Sequence, residues 1–301
     1  MMNYINHATK MTGRRLPVVR ALLMMRNLLA LSALFSLCTV SYASAASNVV
    51  TPSVKTTIEL PLQGVALEYK ANVRLLQVLD DANASFNANA SSNENASGSI
   101  GYFPLSAQLF DKTNTQAIKT KKHNVFNQLE ALAVEEPEAN LVRQQLASFQ
   151  YLNRVFIELD RNAVISQSDK NPLLVSSSHT NKPSASQTQA FSLYLPKRPT
   201  SIQLMGAMKQ SVTMNLIEHG TLNDYLDALP NGFIGESADK SVAYVVQPDG
   251  VVQTIQYAYW NEQPVYLAPG AIVFMAFYSL PSEYSMLNQD IVDLLRHKVG
   301  L

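Results

Sequence analysis

The pattern of apolar and polar positions predicts a hairpin followed by a helix, beginning near residue 57. Residues 57–60 and 65–69 alternate apolar with polar side chains, so two short strands should meet at a turn. From 73 to 82, apolar residues recur at helical spacing, with Asn72 as the expected N-cap. A β-grasp domain begins with this order of elements.

A second pattern predicts two antiparallel helices between strands. Apolar side chains repeat at helical spacing from 117 to 132 and from 141 to 149, and Pro137 suits the first turn of the second helix. The break between them is short, so the helices should be neighbours in a helical hairpin at about 113–150. A further strand is expected at 155–159. The apolar stripes of the hairpin need a partner surface, and the simplest one is the rest of the same chain.

Two polar segments interrupt these elements. Residues 83–99 are mostly Asn, Ser and Ala, and residues 166–189 are rich in Ser, Thr, Asn and Lys. Segments of this composition contain too few apolar side chains to offset the entropy of ordering them. Both are therefore predicted to be loops.

The order of hairpin and helix recurs after residue 200. Strands at about 202–204 and 212–216 precede a helix that Thr221 and Asp224 should close with a capping box. The remaining strands are expected at 243–246, 251–257, 265–267 and 271–277. Two successive units of this kind predict an α+β fold with two tandem β-grasp (ubiquitin-like) domains, although periodicity alone predicts only α+β.

An amphipathic helix is expected at the carboxyl terminus, from about 281 to 298. Its apolar side consists of Tyr284, Leu287, Ile291, Leu294 and Leu295. Three roles stay open for it: packing on its own domain, lying on a membrane or partner, and lining an oligomeric pore. Its polar face prevents it from spanning a bilayer alone, and the mixed charge of that face argues against an interfacial helix.

The first 45 residues have the pattern of an export signal. Arg20 and Arg26 precede an apolar run at 28–37, and small residues end the segment at Ala45, where we expect cleavage. An uncleaved membrane anchor is the alternative, but the run is shorter than the ~20 residues of a spanning helix. The only cysteine, Cys38, lies in this segment, so the mature chain has no disulfide and no thiolate site.

Charge excludes one class of partner. The 301 residues have a formal net charge of zero, but residues 1–45 carry five basic and no acidic side chains. The remaining chain therefore has 18 basic and 23 acidic residues. Because affinity for nucleic acid depends on Lys and Arg neutralising phosphates, we expect no nucleic acid partner.

Catalytic and metal-binding signatures are missing from the sequence of the mature chain. No nucleophile elbow, phosphate loop or dinucleotide fingerprint is present, and the histidines lack metal-ligand spacing, so no catalytic residue, metal or cofactor is predicted. Arg154 is a candidate binding residue because a guanidinium where a helical insert meets a sheet can bridge several carbonyls or a carboxylate. Tyr257, Tyr259 and Trp260 are weaker candidates for stacking on sugar rings, since alternating aromatics in strands more often serve packing.

Several short motifs resemble the GfcC family of capsule biosynthesis proteins. They are the segments 244–250, 258–261 and 267–271, the Leu-Pro that opens the last helix, the segment 191–199 with the following Gly206, and the Gly-Tyr-Phe at 101–103. The resemblance covers nearly all of the mature chain and rests on the number and order of these motifs.

The resemblance implies a periplasmic protein of polysaccharide assembly or export. It implies a signal peptide at 1–45, a first β-grasp domain at 46–190 with the hairpin inserted, a second at 191–279, and the terminal helix at 280–301. This layout is similar to domains of the outer-membrane exporter Wza. The family has a characteristic arginine just after the hairpin, and Arg154 is the matching position.

The leading hypothesis is a non-enzymatic accessory protein that contacts polysaccharide or outer-membrane export proteins, with membrane contact possible but no spanning segment. The alternatives are a periplasmic carbohydrate-active enzyme, whose paired carboxylates would be assembled by folding, and a structural subunit whose terminal helix joins an outer-membrane pore.

Overall fold

The computed structural model describes residues 55–89, 101–177, 188–263 and 265–300, without the side chains of 86–89. The expected signal peptide and most of the predicted loop at 83–99 lie outside these residues. The described chain is a mixed α+β structure with two five-stranded sheets and six α-helices.

The first sheet contains strands from both sides of the helical hairpin. Its strands are β1 (Lys55–Leu60), β2 (Val65–Tyr69), β3 (Gln108–Asp111), β4 (Asn153–Val155) and β5 (Thr188–Tyr194), in the spatial order β2-β1-β5-β3-β4. β1 and β5 are parallel, and the other neighbours are antiparallel. Helix α1 (Leu75–Asn89) buries Val78, Leu79 and Ala82 against this sheet.

The second sheet repeats this arrangement. Its strands are β6 (Ser201–Gly206), β7 (Val212–Asn215), β8 (Ala238–Val246), β9 (Val252–Gln256) and β10 (Ile272–Phe277), in the order β7-β6-β10-β8-β9. The first strand of the opening hairpin again lies parallel to a central strand, here β6 to β10. Helix α5 (Leu222–Asp227) follows the hairpin, and the predicted capping box of Thr221 and Asp224 is confirmed.

The helical hairpin is inserted between two neighbouring strands of the first sheet but packs on the second sheet. Helices α2 (Gln116–Leu132) and α3 (Pro137–Ala147) lie between β3 and β4 in sequence. Their apolar stripes join one core with Phe274 and other side chains from one face of β10. The Gln145 side chain strengthens this contact, because it accepts a hydrogen bond from the Gly206 amide and donates to the Gly206 carbonyl. The expectation of a partner surface within the same chain is confirmed.

The terminal helix α6 (Leu287–Leu295) packs into the same core. Leu287, Ile291, Leu294 and Leu295 are all buried. On the polar side, Lys121 of α2 forms an ion pair with Asp293, and Gln128 donates to Asp290. Of the three roles considered for this helix, the structure shows it packed within its own chain. No helix within the described ranges combines the length and apolar character needed to cross a bilayer.

Some sequence predictions differ from the structure. Helix α1 begins at Leu75 rather than after Asn72 and continues to Asn89, so residues 83–89 are helical and not loop. Alanines in this segment favour helix, and Ala82 lies in the core. Asn72 instead accepts a hydrogen bond from Gln189.

Other boundaries also change. The strand predicted at 155–159 is instead β4, which covers Asn153–Val155 and includes Arg154. Residues 161–166 form a short helix, α4 (Arg161–Ser166), that Asp160 caps by accepting from Asn162. Residues 265–267 are not a strand. Strand β5 belongs wholly to the first sheet and crosses the predicted domain boundary at 190/191, so the change of sheet falls after Tyr194.

Candidate functional site

A groove of about 570 Å³ opens beside Arg154. We call it the Arg154 groove. Its walls are residues 103–105 and Ala107, which lead into β3, the segment 154–160 that begins in β4, and Asp249 of the turn between β8 and β9. The groove therefore combines residues of the first sheet with a turn of the second.

Arg154 lies on the edge strand β4 opposite Phe110, and its guanidinium is directed to backbone carbonyls. It is only 7% exposed. One terminal nitrogen donates to the Pro248 carbonyl at 2.6 Å and approaches the Ala107 carbonyl at 3.5 Å, and the other lies 3.4 Å from the Arg296 carbonyl. These carbonyls belong to three separate segments, so the side chain joins the residue before β3, the β8–β9 turn and the end of α6, as a rigid fork of donors can do.

Burial lowers the pKa of Arg154 to about 10, an effect that Asp249 opposes and the nearby Arg296 reinforces. The guanidinium is therefore still charged at neutral pH. No ion pair connects it with a carboxylate among the described residues, because its hydrogen bonds go to neutral carbonyls. A charge in this position can attract an anionic or strongly polar ligand, since partial burial reduces screening by water.

Phe156 lines the groove beside Arg154, and Arg296 contacts the ring of Phe156. Two guanidinium groups lie over the Phe156 ring, with Cζ of Arg154 5.5 Å and Cζ of Arg296 4.3 Å from the ring centroid. Arg296 donates to the Gly250 carbonyl and to Asp293. Gly250 has φ +89°, and a Cβ there would lie 2.6 Å from Phe156 Cε1, so the turn can approach the ring only without a side chain.

His297 forms a hydrogen bond with the backbone of strand β4 at Arg154. The backbone N–H of Arg154 donates to His297 Nδ1 at 3.1 Å, and the imidazole meets Phe156 edge-on at 5.6 Å between centroids. Burial, reinforced by Lys121, lowers the pKa of His297 to about 4. The ring is therefore neutral at physiological pH, which allows Nδ1 to act as an acceptor.

Two carboxylates of the groove, Glu158 and Asp160, form hydrogen bonds with neighbouring residues. Glu158 accepts from the Asp160 backbone N–H and from Lys170, and the first of these hydrogen bonds is the main cause of its lowered pKa. Asp160 caps helix α4. A glycosidase needs a carboxyl group whose pKa is raised so that it can act as an acid. The pKa of Glu158 is shifted in the opposite direction. In the described part of the chain no group of acidic, histidine or cysteine side chains could hold a metal ion.

The structure does not bring the aromatic candidates to Arg154. Tyr257 is buried in the core of the second sheet, and its hydroxyl donates to the Asp239 carbonyl at 2.5 Å. Tyr259 and Trp260 are 96% and 77% exposed on the loop after β9, and neither lines the Arg154 groove. Sugar stacking by these side chains stays a prediction, and only the last two have rings open to solvent.

Sequence reasoning missed several neighbours of Arg154. Phe156, Arg296 and His297 were not selected, and the Pro-Asp-Gly segment at 248–250 was interpreted only as a turn. The turn sequence was the available signal, because a glycine at such a turn permits close approach of another side chain.

Comparison with known families supports the resemblance in the carboxyl-terminal part of the chain. Residues 210–300, which contain the β8–β9 turn, Arg296 and His297, match the family model for the C-terminal region of the capsule biosynthesis protein GfcC. The resemblance to this family is thereby confirmed for residues 210–300. Arg154 lies outside the matched segment.

One relative has a longer match. The chain is 27% identical over 162 residues to the uncharacterized protein YjbG of Escherichia coli (strain K12), which covers 53% of this chain. The match spans 60% of the relative's length.

Proposed function

We propose that this chain is a periplasmic, non-enzymatic accessory protein of capsule or exopolysaccharide assembly and export. In this proposal the two sheets are tandem β-grasp modules, and the Arg154 groove contacts glycan or an outer-membrane export protein. The match of residues 210–300 to the capsule biosynthesis family is the observation that carries it.

The groove supports a binding role. Its lining combines polar and apolar residues, among them the charged Arg154 and the partly exposed Phe156. Glycan ligands combine hydroxyls with apolar ring faces, and such a surface can accommodate both. Glu158 and Asp160 already accept hydrogen bonds from neighbouring residues, so these two groups are poorly suited to acid catalysis. This favours binding over hydrolysis.

The repeated topology supports the β-grasp assignment. In each sheet the opening hairpin contributes an edge strand and a strand parallel to a central one, and a helix follows the hairpin. The expected signal peptide supports the periplasmic location. Sequencing the amino terminus of the protein from the periplasmic fraction tests that location, and a chain starting at residue 46 is the expected result.

Blocking the groove tests the function. Deletion of the gene should reduce surface polysaccharide, and the wild-type gene should restore it. Leu105→Trp should restore it poorly, because Leu105 is a partly exposed residue of the groove wall and indole would fill the space. Leu62→Trp, at an exposed turn between β1 and β2, is the matched control. Normal polysaccharide in the deletion strain, or equal restoration by both variants, would contradict the proposal.

A further inference from the structure

A second cavity, of about 370 Å³, is lined in part by Lys298 and Val299 of the segment after α6. We call it the Lys298 cavity. The side chains that matter for its chemistry are Phe149, Gln150, Ser201, Gln203, Thr213 and Lys298. It therefore lies where the end of the helical hairpin and the segment after α6 meet strands β6 and β7. Its volume is within the range of small-molecule sites.

Lys298 is a buried cation that forms no ion pair with a carboxylate of the described residues. It is 7% exposed, and its Nζ donates to the Gly300 carbonyl at 3.2 Å and lies 4.9 Å from the centre of the Phe149 ring. Burial lowers the pKa of Lys298 to about 8, so the ammonium is mostly charged at neutral pH. A buried charge of this kind is unfavourable until an anion pairs with it.

Four other polar side chains of the cavity have no hydrogen-bond partner among the described residues. The side chains of Gln150, Ser201, Gln203 and Thr213 make no hydrogen bond to any residue that the structure describes, and they supply two amides and two hydroxyls. Such groups match the hydroxyls of a sugar ring, which both donate and accept. A single point charge with a set of hydroxyl and amide partners fits a monoanionic polyhydroxylated ligand better than it fits a phosphate, which multiple donors or a guanidinium fork usually hold.

We propose that the Lys298 cavity binds a carboxylate-bearing sugar residue, with the Lys298 ammonium paired to the carboxylate and the amide and hydroxyl side chains bonded to the ring hydroxyls. This inference rests on the proposed function, because it names acidic polysaccharide as the class of glycan. It concerns a site separate from the Arg154 groove, so the two can be tested independently.

The test is a calorimetric titration of the purified protein with glucuronate and galacturonate, with glucose and acetate as probes that lack either the charge or the ring. We expect both uronates to bind at least tenfold more tightly than glucose or acetate. Lys298→Met should weaken uronate binding at least tenfold and stay folded, since a buried unpaired charge is replaced by an apolar side chain of similar length. Lys209→Met, at an exposed lysine after β6, is the matched control and should bind like the wild type.

Gln203→Ala provides an independent variant and should weaken uronate binding severalfold without removing a charge. Unchanged uronate binding by both Lys298→Met and Gln203→Ala would overturn the proposal. If glucose bound as tightly as the uronates, the charge would make no contribution to binding. If acetate bound as tightly as the uronates, the sugar ring would make none. Either result would also overturn the proposal. Loss of surface polysaccharide in the Leu105→Trp strain reports on the Arg154 groove alone, so failure of the proposed function would be distinguishable from failure of this site.

Discussion

Replacement of Arg154 by alanine tests whether this side chain joins the separate segments around the groove. The variant removes a guanidinium that donates to the Pro248 carbonyl at 2.6 Å and lies 3.4–3.5 Å from two further carbonyls. It also removes the aliphatic stem of a residue that is almost completely buried.

The expected cost follows from these contacts. A hydrogen bond from a charged donor contributes about 1.5–3 kcal/mol, and a buried carbonyl left without a partner costs about 1–3 kcal/mol. The two longer contacts add little, and relief from burying the charge offsets part of the loss. We therefore expect Arg154→Ala to lower the free energy of unfolding by about 2–4 kcal/mol.

Arg143→Ala is the matched control. Arg143 lies on α3, is partly exposed, and makes one side-chain hydrogen bond, to Asn140 at 3.2 Å. Its loss should cost less than about 1 kcal/mol. Urea unfolding followed by far-UV circular dichroism is the suitable assay, because the only tryptophan, Trp260, is exposed and is a poor reporter of the core. Equal unfolding free energies for the two variants would refute the bridging role of Arg154.

Three further predictions concern the same region. Gly250→Ala should destabilise the protein by about 1–3 kcal/mol in urea unfolding, because the new Cβ collides with Phe156 and φ is +89°; an unchanged midpoint would contradict the close approach. Leu294→Ala should cost about 2–5 kcal/mol as a fully buried core truncation, whereas Met286→Ala, at an exposed residue, should cost less than about 1 kcal/mol; similar costs would mean that α6 does not pack as described. His297 has a pKa of about 4 in the folded protein and an ordinary value of 6.5, so the unfolded chain binds more protons between these values and stability should fall as pH decreases from 6.5 to 4, by on the order of 3 kcal/mol at most. His297→Gln should flatten that part of the pH profile, and an unaltered slope would assign it to other groups.

Periodic elements were predictable from the sequence because their signals are local. The helical hairpin and the apolar stripe of α6 repeat every three or four residues, and a buried face of that kind requires a partner. The sequence did not predict that α1 continues through residues 83–89, because the local composition there gives conflicting signals. A composition rich in Asn and Ser indicates a loop, yet the alanines favour helix, and Tyr69 donates to Asp81 at 2.7 Å and so ties the helix to strand β2.

The surroundings of Arg154 were predictable only in part. Its chain position, directly after the hairpin, marked it as a candidate. Its acceptors are backbone carbonyls of Ala107, Pro248 and Arg296, which are 47, 94 and 142 residues away along the chain. Every residue has a carbonyl, so side-chain identity cannot signal such contacts. Long-range packing alone brings these segments together.

Helix α6 is held in the protein both by its buried apolar side and by the segment that follows it. After the helix, the chain runs along the exit of the hairpin, where Leu152 donates to the His297 carbonyl at 3.1 Å and Val299 donates to the Gln150 carbonyl at 2.9 Å. Release of α6 would break these bonds and expose five buried apolar side chains, at about 1.5–3 kcal/mol each. That sum is comparable to the entire stability of an ordinary domain, about 5–15 kcal/mol. A role as a pore wall therefore requires a partner or membrane that covers the same five side chains, and it would remove the contact of Arg154 with the Arg296 carbonyl at the same time.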